Sequence, residues 1–365
     1  AAQPLVISRA KQAVLAQVIS DAACMACHWQ YSAEKIEASE KETQNPLLFP
    51  SQSCHFLNPF YRIDSGNNTF YGHQEVCLLR ELAKEKKEGG EVKVDLVGYA
   101  QELEKMFGDG SELYGEFPGP NVSRSDYPIT NGWRPHSIKA FLQTVDQRKK
   151  EMHKNTPPEK IYLNAACADD QSDAFCKVPI IVGLAAVENS SSLSPSWVEK
   201  IIRIVEITQN GEMAVPSALL TAHLLFSFLS LPSPSPKNHS STVVQAITSL
   251  IASLPACGQR EKQVEALQKV VANVKTSHKE FVNENGKGCG LIFNLVNALH
   301  AVAVHSSLCD ALLETVRAGG DCSSRANFIG AAFGCLYDTS PVPLEWCEKY
   351  RHTKEVEEIL TRLFV

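Results

Sequence analysis

The chain has 365 residues, with 35 basic side chains against 41 acidic ones and a net charge of −6. Hydrophobic residues at 44% and charged residues at 21% supply enough apolar surface for a packed core and exclude a disordered chain. Basic residues are interleaved with acids, as in Lys84-Glu85-Lys86-Lys87-Glu88, so they form no electrostatic footprint for nucleic acid.

Helical periodicity begins at the N-terminus, where Leu5, Ala10, Val14, Leu15, Val18, Ile19 and Ala22 fall on one face. Arg9 and Lys11 lie inside this pattern rather than ahead of an apolar block, which argues against a secretory leader. The helix ends in Cys24-Met25-Ala26-Cys27-His28. That spacing matches covalent haem attachment, but haem attachment also needs an export route and a distal ligand, so packed helix cysteines are expected instead. A zinc module would need Cys54-His55 as further ligands, and the spacing fits no standard arrangement. Glu37 to Thr69 is expected to be a polar loop carrying Phe49, Phe56, Phe60 and Tyr61.

Further helical faces are predicted at Val76–Leu82, Leu96–Met106, Ile138–Val145, Val178–Val187, Val198–Ile207, Val243–Leu254, Val264–Val274, Leu291–Val304, Leu312–Val316, Phe328–Leu336 and Val356–Phe364. Ala214 to Leu231 is the most apolar run. Ser217, Thr221, His223, Ser227 and Ser230 interrupt it, which predicts a buried helix rather than a membrane span. Phe107 to Pro135 and Pro232 to Ser241 read as loops, the first long enough to suggest a functional role. No alternating strand pairs stand out. The expected fold class is all-α, one domain over residues 1–365, with about a dozen helices or more.

The twelve cysteines show no framework spacing, and together with the lack of an export signal they predict reduced thiols and a cytoplasmic protein. Glycosylation sequons at Asn67, Asn121, Asn189 and Asn238 would then go unused.

Near the C-terminus, Gly319-Gly320-Asp321 opens a helix in which Ala326, Gly330 and Gly334 recur every four residues. Such a face lacks bulk and lets another backbone approach. Asp321 suits the first turn, where free N–H groups and the helix dipole favour an acid, as a simple cap or as part of a polar site. Cys322 sits at the same helix opening, where the dipole can lower a thiol pKa, so a redox role is a further possibility.

Several segments, taken in order, carry a resemblance. They are Ser20-Asp21-Ala22-Ala23-Cys24-Met25-Ala26-Cys27-His28-Trp29-Gln30-Tyr31, Tyr71-Gly72-His73-Gln74-Glu75-Val76, Ile207-Thr208-Gln209-Asn210, Gly319-Gly320-Asp321 and Val342-Pro343-Leu344-Glu345-Trp346. Together they resemble the ADP-ribosylglycohydrolase superfamily over most of the chain. The resemblance implies a single-domain, orthogonal multi-helix bundle. It also implies a site where the family's hydrolases hold two magnesium ions and cleave ADP-ribose from protein side chains. The family's Thr-Asp-Asp segment is Tyr71-Gly72-His73 here. In its Asp-x-Asp-Thr segment Asp321 is kept, while Ser323 and Ser324 stand for the second acid and the threonine. The glutamate that some members place about seven residues after the first-helix aspartate, here Asp21, falls on His28.

Magnesium needs a cage of oxygens and dehydrates reluctantly, so this substitution pattern predicts that the metal centre is lost and no cofactor is held. The same substitutions are similar to the branch that holds the J-type lens crystallins of jellyfish and selenoprotein J. Two functions follow as expectations. One is a structural protein or pseudoenzyme on the hydrolase fold. The other is an altered, metal-independent hydrolase acting on an ADP-ribosyl or related nucleotide-sugar bond. The candidate catalytic residues for the second are His28, His73 and Asp321, together with Asp21 and Arg325: a histidine would act as general base with an aspartate orienting it, and Arg325 would hold a phosphate. The expected partner is an ADP-ribose-like small molecule.

Overall fold

The computed structural model describes residues 3–43, 47–50, 56–85, 92–117, 124–255 and 259–364. Cys54, His55, the Asn121 sequon and the lysine run after Glu85 lie outside the described residues. The chain folds as an all-α protein. Its helices are α1 (Gln3–Cys24), α2 (Ala33–Thr43), α3 (Phe70–Glu85), α4 (Leu96–Phe107), α5 (His136–Glu151), α6 (Pro158–Tyr162), α7 (Asp173–Cys176), α8 (Pro179–Glu188) and α9 (Pro195–Val205). They continue as α10 (Ala214–Ser230), α11 (His239–Ser253), α12 (Arg260–Ala272), α13 (His278–Asn285), α14 (Leu291–Val304), α15 (Leu308–Ala318), α16 (Cys322–Leu336), α17 (Leu344–Lys349) and α18 (Thr353–Leu363). Among the described residues, β structure is confined to isolated bridges.

Helix α16 is the axis of the molecule, and each of its residues from Cys322 to Leu336 is buried. Its small face does what the spacing predicts. A Cβ added at Gly330 would stand 2.3 Å from the Ala16 carbonyl oxygen, and one at Gly334 would stand 2.4 Å from Ala13 Cα. The backbones of α1 and α16 therefore touch along this stripe. Helix α1 is correspondingly buried on more than its apolar face, taking Arg9, Gln17, Ser20 and Asp21 inside with it. Arg9 and Asp21 are matched by acceptors or donors, and Gln17 is matched through its amide nitrogen. Arg9, for example, donates to Asp338 Oδ1 through Nε at 2.9 Å and to the Leu231 carbonyl through Nη1 at 2.5 Å. Gln17 Nε2 donates to the Cys176 carbonyl at 2.7 Å and to Asn327 Oδ1 at 3.1 Å.

Two expected loops contain more order than their composition suggests. The segment after Glu37 begins inside α2, whose polar sequence buries Ile36 and exchanges ion pairs between Glu37 and Lys279 and between Glu40 and Arg317. In the loop after α4, Arg134 donates to the carbonyls of Phe107, Gly108, Tyr114 and Gly115, closing the end of α4 with one planar fork. The Ala214–Leu231 run is a buried helix as expected, and no helix among the described residues is long and apolar enough to cross a membrane.

Because α1 and α16 meet backbone to backbone, Gly330→Ala must push them apart. We expect a loss of about 3 kcal/mol in urea unfolding, the upper range for overpacking a dense core. Gly288→Ala serves as the control, since its added Cβ meets nothing closer than Phe293 Cζ at 3.8 Å. Equal unfolding midpoints for the two variants would contradict the backbone contact.

Candidate functional site

The site is assembled by a glycine turn. Gly319 and Gly320 both take positive φ, at 78° and 77°. Side chains there would run into Gln30 O at 2.9 Å and Lys287 O at 2.3 Å. The turn lets Gly320 pair with the chain leaving α1: Trp29 N donates to Gly320 O at 2.9 Å, and Gly320 N donates to Gln30 O at 2.7 Å. This pairing sets His28 against Asp321.

Asp321 is the N-cap of α16 and accepts from Ser324 N at 3.3 Å, as a capping acid should. It is also a buried hub. His28 Nε2 lies 3.0 Å from Oδ1, and Tyr71 OH donates to Oδ2 at 2.7 Å. Burial raises the Asp321 carboxyl, but the hydrogen bond and charge of His28, with help from Tyr71 and Arg325, outweigh it and hold it below its ordinary value. The other ring nitrogen of His28 lies 2.7 Å from Tyr61 OH, so both nitrogens of a fully buried imidazole are engaged. Trp29, at a positive φ of 62°, turns its ring into a T-shaped cluster with Phe60, Tyr61 and Trp133 beside His28.

The other expected site residues stand elsewhere. His73 is two residues from Tyr71 on α3, about 200° around the helix. Its Nδ1 is 2.6 Å from Tyr114 OH, and its ring packs on Phe107 and His352. Burial, with smaller contributions from His352 and Arg80, pushes its pKa down to about 3. Asp21 accepts from Asn68 Nδ2, Thr69 N, Thr69 Oγ1 and Asn327 Nδ2, at 2.9, 2.8, 2.6 and 2.9 Å. It joins α1, α3 and α16 with neutral donors and orients neither His28 nor His73. Arg325 does not present a fork to a phosphate. It is fully buried, and it donates to Thr315 Oγ1 at 3.2 Å and to the carbonyls of Thr315 and Gly319 at 3.0 and 2.6 Å, closing the end of α15. Cys322 is buried, and burial pushes its thiol up to about 12 rather than down. The helix dipole does not make it reactive.

Sequence reasoning missed a polar layer next to Asp321. Asp173 Oδ2 accepts from Gln74 Nε2 at 3.2 Å and Ser137 Oγ at 2.5 Å, and burial pushes this carboxyl up to about 6. Asn294 Nδ2 donates to Ser172 Oγ at 2.9 Å and also to Ser324 Oγ. Asp173 Oδ1, Gln74 Oε1, Asn294 Oδ1 and Ser323 Oγ are buried without a partner among the described residues. Such buried acceptors favour hydrogen-bond donors. Gln74 was legible as part of a quoted motif, whereas Asp173 carried no sequence signal.

An ADP-ribosylglycohydrolase family profile matches residues 2–365. The chain belongs to the ADP-ribosylglycohydrolase family. Among its relatives are crystallin J1A and crystallin J1B of Tripedalia cystophora, 24% and 23% identical over 355 residues, covering 97% of this chain and 96% of each relative. A solved structure described as an ADP-ribosylglycohydrolase-related protein complex superposes with a TM-score of 0.62 at 15% identity, over 99% of this chain and 98% of that one, and shares the fold.

Two measurements check this geometry. Asp321→Ala strands the Tyr71 hydroxyl, a His28 nitrogen and the Ser324 amide in the interior, and we expect a loss of about 3 kcal/mol in denaturant unfolding. A near-neutral change would mean that the hub contributes nothing to stability. His73 tests the buried neutral imidazole. The unfolded chain takes up its proton below about pH 6.5, and the folded chain does so only near pH 3. This contribution to stability is complete above pH 6.5 and is lost as the pH falls toward 3. The loss is on the order of 1 kcal/mol per pH unit. His73→Gln is expected to flatten the stability curve in that window; parallel curves for the two proteins would contradict a buried neutral His73.

Proposed function

We propose that this member of the ADP-ribosylglycohydrolase family keeps the scaffold, does not assemble the two-magnesium centre, and serves as a stable, non-hydrolytic structural protein. The observation that carries this reading is the packing at position 72. A Cβ on Gly72 would lie 2.4 Å from Asn68 Nδ2 and 2.6 Å from Asp21 Oδ2. Where the family pattern calls for an acid, there is no room for even its first carbon. The neighbouring positions support the same conclusion. Tyr71 gives a phenol that donates to Asp321, His73 points away, and Ser323 brings a hydroxyl in place of a carboxylate. Asp321 already accepts from three groups. Two magnesium ions bring four positive charges and require several anionic oxygens in octahedral order, which this donor set does not fit.

The alternative, metal-independent hydrolysis through His28 and Asp321, lacks a free base: both His28 nitrogens are engaged with buried partners. The cysteines among the described residues are free thiols, most of them buried, which fits a reducing, cytoplasmic setting. Family membership makes an ADP-ribose-like molecule the ligand class to test.

The test is hydrolysis of ADP-ribosylated serine and arginine peptides with and without magnesium, accompanied by calorimetric titration with magnesium chloride. We expect no saturable magnesium binding and no turnover above that of His28→Ala and Asp321→Ala. Magnesium-dependent turnover that is abolished in Asp321→Ala would overturn the proposal.

A further inference from the structure

A second constellation lies outside the Asp321 hub and belongs to no segment of the family pattern. His136, Cys167 and Asp169 bring one ring nitrogen, one sulfur and one carboxylate oxygen within 4.8 Å of one another. From these residues we propose a zinc(II) site with three protein ligands and a fourth position open to water.

The chemistry of the donors selects the metal. A thiolate and an imidazole disfavour magnesium and calcium, which want oxygen throughout, and one sulfur, one nitrogen and one oxygen suit zinc. The Cys167 thiol gives up its proton to solvent as the sulfur–zinc bond forms.

The ligands are placed by structure that does not depend on a metal. Cys167 is pinned on both sides of its backbone: Cys167 N donates to Thr208 O at 3.3 Å, and Asn210 N donates to Cys167 O at 2.9 Å. Asp169 is buried, and its Oδ1 accepts from Gln209 Nε2 at 2.8 Å and Gln171 N at 2.9 Å. Both donors fall on one oxygen, so Oδ2 is left for a ligand bond. Such outer hydrogen bonds orient metal carboxylates in known sites. His136 is the first residue of α5, and its neighbour Ser137 donates to Asp173 at 2.5 Å, which docks that helix end on the start of α7, just beyond the segment that carries Cys167 and Asp169. The nearby buried cation, Lys177, donates to Thr208 Oγ1 at 2.5 Å and Gln209 Oε1 at 3.4 Å rather than to Asp169. His136 is exposed and Cys167 half-buried, so the site can be reached from solution.

The experiment uses the full chain, stripped with chelator and kept reduced, with cobalt(II) as the optical probe and zinc(II) as the competitor. We expect one equivalent of cobalt to give thiolate-to-metal charge-transfer absorption that zinc abolishes. Cys167→Ser should remove the band. His136→Ala should weaken cobalt and zinc binding at least tenfold, no less than the roughly 10-fold to 100-fold loss seen when outer partners of metal sites are removed. Because His136 is exposed, that variant should melt with the parent in the absence of metal. Absence of the band, a band that survives Cys167→Ser, or unchanged affinity in His136→Ala would each overturn the site.

Discussion

The interior of this protein is tied together by one carboxylate. Asp321 caps α16 and, with the same two oxygens, holds His28 from the chain after α1 and Tyr71 from α3. A buried carboxylate is costly unless its charge is met by hydrogen bonds, and the donors here come from three separate parts of the chain. The energy that offsets the burial of Asp321 is therefore also the energy that fixes the relative positions of these elements.

That arrangement depends on the small residues of α16. Gly330 and Gly334 let α1 approach to backbone contact, which brings Asp21 and Gln17 within reach of Asn327. The Gly319–Gly320 turn then brings the chain beyond α1 back onto Asp321 through paired backbone hydrogen bonds. A layer of polar side chains, Asp21 with Asn68, Thr69 and Asn327, runs through the interface and is satisfied internally. Such a layer specifies one register of packing, since sliding the helices would strand each donor. The network leaves Asp321 and Asp21 occupied by protein partners.

Much of the fold was legible in the sequence because long helices with apolar periodicity announce themselves. The Gly319–Gly334 stretch announced both its cap and its close contact. Helix α2 was not legible, because it buries Ile36 in an otherwise polar run and depends on ion pairs to distant residues. The candidate site was legible in part. His28 and Asp321 do meet, but resemblance fixes a residue's place along a helix and not the face it serves. His73 therefore fell on the Tyr114 side of α3, while Tyr71, two residues earlier, reached Asp321. Arg325 read as a phosphate holder from its planar fork, and Cys322 as a reactive thiol from its place at a helix opening. Full burial turned the first toward backbone carbonyls and raised the pKa of the second.

Asp321 is a hydrogen-bonding hub, and we propose that it is not a magnesium ligand. Thermal unfolding of the parent and of Asp321→Asn in magnesium chloride, against a monovalent salt of equal ionic strength, tests it most directly, because a ligand bound by the native state must raise its stability. The account predicts that magnesium adds nothing beyond the salt control in either protein, while Asp321→Asn melts lower in both. A magnesium-specific rise in the parent that disappears in Asp321→Asn would contradict it.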